Sequence, residues 1–91
     1  LTKEEQIKMV HKILFVKEDV DNPEKPEITV QMLNSCISNC IIRFSGVEMD
    51  ENLKNKIIET LRGIKNLNGD ISHAEARSAI LGLISDIRRS E

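Results

Sequence analysis

The sequence predicts an all-α protein, a compact four-helix domain with helices over about 3–17, 30–44, 51–65 and 73–89. Three observations carry this expectation. Apolar residues recur at helical spacing in four separate segments. Each segment opens on a side chain able to cap a helix. No segment sustains the period-two alternation of a half-buried strand, although short extended pieces at Glu27-Ile28 and Asp70-Ile71 fit the pattern.

The first helix opens on Thr2-Lys3-Glu4-Glu5, a capping box in which a hydroxyl at the cap is answered by Glu three residues on. Its apolar stripe is Ile7, Val10, Ile13 and Leu14, with Met9 and Val16 at the edge, and it is expected to end near Lys17. An acidic stretch from Glu18 to Glu27 follows, in which Pro23 and Pro26 stop helix continuation. Thr29 caps the second helix, whose stripe is Val30, Leu33, Cys36, Ile37, Cys40, Ile41 and Phe44. Ser45-Gly46 ends it, with Gly46 expected in the left-handed conformation. Asp50 caps the third helix, striped by Leu53, Ile57, Leu61 and Ile64. After an Asn- and Gly-rich turn over Asn66 to Asp70, a second capping box, Ser72-His73-Ala74-Glu75, opens the fourth helix. Its stripe is Ala76, Ile80, Leu83, Ile84 and Ile87, and Arg88 and Arg89 complement the dipole in its last turn. Ala76, Ala79 and Gly82 leave small side chains on one flank, where close helix approach is expected.

Composition narrows the function classes. With 91 residues the chain makes one domain, 1–91, and a start at Leu1 suits a fragment of a longer protein. The balance of 13 Lys+Arg against 15 Asp+Glu gives a net charge of −2 and lacks the concentrated basic surface that nucleic acid requires. The longest apolar runs, Ile13-Leu14-Phe15-Val16 and Cys40-Ile41-Ile42, are far too short for membrane insertion. The polar N-terminus has no signal-peptide core, and two free thiols suit a reducing compartment, so an intracellular, cytoplasmic location is expected.

Catalytic chemistry is hard to assemble. His11 lies at a stripe edge, and His73 sits in a first helical turn with no nucleophile beside it. Cys36 and Cys40, spaced i, i+4, read as small apolar residues on the core stripe, because a structural zinc site needs two further ligands. The four glycines form no phosphate-cradling loop, and no serine sits in a nucleophile elbow. The expectation is a non-enzyme without a cofactor.

One local pattern is more specific. Ile64 to Glu75 resembles the twelve-residue calcium loop of the EF-hand family. Asn66 and Asn68 fall on the third and fifth positions, and Gly69 falls on the turn position. Ile71 takes the short-strand position, Ser72 the ninth and Glu75 the last. The departures matter: the first position is Ile64 instead of Asp, so Glu75 is the one charged ligand left. Upstream, Asp21 to Met32 can be laid over a companion loop, with Ile28 at its strand position. There the turn position is Pro26 and the last is Met32. The resemblance implies an EF-hand-like helix–loop–helix pair with weak or absent calcium binding through Asn66, Asn68, Ser72 and Glu75.

Three large apolar residues point away from their own stripes: Phe15, Ile42 and Leu81. They are the candidate partner-binding residues, since contiguous apolar surface marks interaction sites. The acidic residues of the first connection, Glu18, Asp19, Asp21, Glu24 and Glu27, suit a basic partner. The sequence therefore points to a helical protein–protein interaction or regulatory module that binds another protein or itself. A degenerate EF-hand-like regulatory domain is the first alternative. A small inhibitor of the immunity or antitoxin type, which binds a toxic enzyme, is the second.

Overall fold

The structure, a computed structural model, describes residues 1–90. Helix α1 spans Lys3–Val20, α2 Val30–Ser45, α3 Glu51–Asn66 and α4 His73–Arg89. No strand occurs among the described residues, so the extended pieces expected at Glu27-Ile28 and Asp70-Ile71 do not pair. No helix is long and apolar enough to cross a membrane.

All four expected caps are used. The Thr2 hydroxyl accepts from the Glu5 N–H while the Glu5 carboxylate accepts from the Thr2 N–H, a complete capping box. Thr29 accepts from the Met32 N–H and Asp50 from the Leu53 N–H. At Ser72 the hydroxyl half of the box forms, accepting from the Glu75 N–H at 3.1 Å. Helix α1 runs three residues past its expected end at Lys17. The Asp21 N–H reaches the Lys17 carbonyl at 3.1 Å, and the first proline stands two residues further on.

Two expectations about glycine are corrected. Gly46 ends α2 at φ −92°, in the right-handed region, and the Val47 N–H closes a tight turn onto the Phe44 carbonyl. The left-handed residues are Asn68 at φ 49° and Gly69 at φ 84°. They are the central pair of a turn closed by the Asp70 N–H on the Leu67 carbonyl at 2.8 Å. Gly82 is solvent-facing with open space where a Cβ would stand, so no helix makes a close approach there. The close approach occurs at Gly69, where a Cβ would lie 2.8 Å from the Val30 Cγ2.

The helices form a ring in which each packs on two neighbours: α1 on α2 and α4, and α3 on α2 and α4. The diagonal pairs, α1 with α3 and α2 with α4, do not touch at the backbone. Antiparallel packing of α1 and α4 is pinned at both ends. Lys3 Nζ donates to the Ser90 carbonyl, and the His73 Nε2 lies 3.5 Å from the Glu18 carboxylate. The overall extents are 40 × 21 × 21 Å. Val10, Ile13, Ile37, Phe44, Ile57, Leu61, Ile80 and Ile87 are fully buried along the axis. Burial of each such side chain stabilises the fold by about 1.5–3 kcal/mol.

One charged residue enters this interior. Lys17 is 2% exposed. Its ammonium donates to the Asp21 carboxylate at 2.9 Å and to the Gly69 carbonyl at 2.7 Å. The first connection (21–29) is thereby tied to the third (67–72) at one end of the bundle. Asn34 Nδ2 adds a 3.3 Å bond to Asn68 Oδ1.

Two stability measurements check this description. Gly82→Ala should raise stability by up to about 1 kcal/mol, because it adds helix propensity in open space. Gly69→Ala should cost roughly 1–3 kcal/mol through its positive φ and the crowding against Val30. Thermal or urea unfolding of the pair gives opposite signs if the turn is as described. Lys17→Met should cost about 1–3 kcal/mol by stripping the Gly69 carbonyl of its donor. Amide exchange should then quicken in both 21–29 and 67–72, which a loss confined to α1 would not produce.

Candidate functional site

A groove of about 690 Å³ runs along the surface between α1 and α2. Its apolar lining comes from Met9 and Val16 on α1, Met32, Cys36 and Cys40 on α2, and Ile28 from the connection. The helical repeat explains this set. At about 100° per residue, Met9 and Val16 lie on the side of the α1 stripe that turns towards α2. Cys36 and Met32 lie on the facing side of the α2 stripe. Cys40 is 4% exposed and forms part of the core, while Cys36 is half-buried at the groove wall.

The ends of the groove differ in charge. Lys12 and Arg43 line one end and Asp19 lines the other. Among the described residues neither Lys12 nor Arg43 has a carboxylate within ion-pair distance. Asp19 pairs with Lys25 at 2.9 Å, and the Glu27 charge also acts on that same lysine. The acidic end therefore retains surplus negative charge.

The thiols report the groove's apolar character. Burial pushes the Cys40 thiol up to about 11, with the Cys36 thiol adding to the rise and Arg43 and Lys12 opposing it. Burial likewise raises Cys36 against the pull of Lys12. Both sulfurs are protonated at neutral pH and are poor nucleophiles and metal ligands. Among the described residues no three His, Cys, Asp or Glu side chains gather into a set that could hold a metal ion.

The three off-stripe residues are exposed, Phe15 at 55%, Ile42 at 68% and Leu81 at 41%, and none of them is part of the groove lining. Ile42 lines a separate depression with Val47 and Glu48 of the turn after α2 and with Leu1 ahead of α1. Leu81 is on α4, diagonally across the ring from α2. Phe15 lies on α1 at helical spacing from two residues that do line the groove. It stands three residues from Lys12 and four from Asp19, both on the groove's lip, and neighbours at that spacing share a helix face. The His11 ring meets Phe15 edge-on at 4.7 Å, which supports the phenyl ring from one side.

Sequence reasoning did not single out Met32, which lies off the α2 stripe and is 50% exposed, nor the joint role of Met9, Val16 and Cys36. The available signal was that these residues lie at stripe edges. Recognising a groove also required knowing which helix stands beside which.

The loop matched to the calcium-binding pattern holds its residues in structural roles. Ile64 is 3% exposed in the core, and Asn66 ends α3. Asn68 accepts from Asn34, Ser72 caps α4, and Glu75 is exposed in its first turn. The Lys17 ammonium, donating to the Gly69 carbonyl, sets a positive charge against the loop. Calcium at millimolar concentration should accordingly leave the amide resonances of 66–75 in place. A saturable shift there would instead favour calcium regulation.

Searches against protein-family models, curated proteins and solved structures find no match to this chain.

Proposed function

We propose that the chain is a non-catalytic helical interaction module that receives a helical face of a protein in the α1/α2 groove. The observation that carries this reading is the groove itself, an open and mainly apolar channel on the surface between two helices. Flexible side chains such as Met9 and Met32 suit adaptable protein contact, because the thioether repacks at little cost. An amphipathic helix laid in such a channel buries one face and leaves its polar side in water. The opposite charges at the two ends orient it. An interaction role for Phe15 fits this surface, whereas Ile42 and Leu81 lie outside it.

A photo-reactive residue placed at Met32, with a second version at Glu59 on the exposed face of α3 as control, tests the reading in extracts of cells that make the protein. Cross-linking is expected from position 32 and not from 59. Excess untagged wild-type chain should suppress it, and excess Met32→Asp should not. Met32 is half-exposed, so its loss should leave the helical circular-dichroism signal unchanged. Equal labelling at both positions, or labelling indifferent to Met32→Asp, would overturn the proposal.

A further inference from the structure

We propose that the helix received by this groove is α1 of a second copy of the chain, laid antiparallel so that Lys12 of each copy meets Asp19 of the other. The inference rests on reading the groove as an interaction surface and names its occupant. Charge complementarity carries it. Lys12 and Asp19 are seven residues apart, which is about 10 Å along α1 and within about 20° of the same direction. A two-fold axis between Phe15 and Val16 exchanges the two positions, so the basic end of one groove faces the acidic end of the other. This is the self-complementary geometry of an isologous dimer.

The side chains are arranged for it. Lys12 and Arg43 have no carboxylate partner within ion-pair distance among the described residues. Asp19 uses Oδ1 for Lys25, which leaves Oδ2 for an incoming ammonium. Phe15, 55% exposed and next to the axis, is free to meet the second copy. Met32, 50% exposed, and Val16 complete an apolar centre flanked by charge. Apolar contact supplies the attraction, and the charges set register and direction, because exposed ion pairs contribute little affinity on their own.

The available area sets the strength. Two helices of this length present a face about 25 Å long and about 20 Å wide, so about 500 Å² of each copy is covered, near the lower end for specific association. The dimer should therefore dissociate in the micromolar range.

Sedimentation equilibrium between ~5 and ~500 μM tests this directly. The expected result is a mass rising from the 10.3 kDa of one chain towards twice that value. Lys12→Glu alone and Asp19→Lys alone should each weaken association about tenfold or more, since each homodimer then carries two like-charge contacts. An equimolar mixture of the two variants should regain the wild-type mass, because both contacts become attractive again. Phe15→Ser should dissociate the dimer with its helical content intact, while Leu81→Ser, outside the groove, should leave it unchanged. A wild-type chain that stays at 10.3 kDa throughout, or a mixture that remains monomeric, would overturn the proposal. If the cross-link from position 32 to another protein survives that result, only the identity of the occupant fails. If that cross-link is absent too, the groove reading falls with it.

Discussion

The constraint on which this fold depends is that each helix has one apolar stripe and two neighbours to cover it. With a single phenylalanine, Phe44, in an otherwise aliphatic interior, no pair of helices buries enough surface to stand alone. Closing the ring brings Ile13, Ile37, Ile57 and Ile80 to a shared axis and removes all four from water together. The capping side chains fix where each helix starts, and so fix which residues arrive at that axis. The groove arises from the same constraint. Met9 and Val16 of α1 and Met32 and Cys36 of α2 lie at the edges of their stripes, outside the closed core, and a channel remains between them.

Charge is placed according to how much water surrounds it. The exposed pairs, such as Arg62 with Glu59, lie along helix faces and contribute little to stability. Asp86 is held below the usual carboxylate range by its hydrogen bond from Lys56, with Arg89 assisting, and it links α3 to α4. Lys17 is the exception, because its ammonium is withdrawn from water and satisfied by a carboxylate and a backbone carbonyl. That arrangement joins two connections that are remote in sequence and holds the Asn68-Gly69 turn against Val30.

The helices, their order and their caps were legible because periodicity and capping are local, and here both agree. The four starts at Lys3, Val30, Glu51 and His73 follow directly from Thr2, Thr29, Asp50 and Ser72. Helical phase set Phe15, Ile42 and Leu81 off their stripes, but whether they are exposed depends on how wide a face each helix buries, which only the packing decides. What could not be read was tertiary. The burial of Lys17 could not be read, because only the returning 67–72 connection supplies the carbonyl that lets its ammonium leave water. Gly82 and Gly46 each carried a plausible local role, yet the positive φ falls on Asn68 and Gly69, where the backbone must turn sharply against a neighbouring helix. The candidate groove is a property of two stripe edges at once, so neither helix alone discloses it.

The ring also has a kinetic consequence. Three of its four interfaces join helices adjacent along the chain, so they form across short connections with small loop-closure entropy. The fourth, α1 with α4, joins the two ends of the described chain and can form only when the other three are nearly in place. Contacts this local predict fast folding, on a scale of roughly microseconds to milliseconds, with the seam between α1 and α4 the last to close.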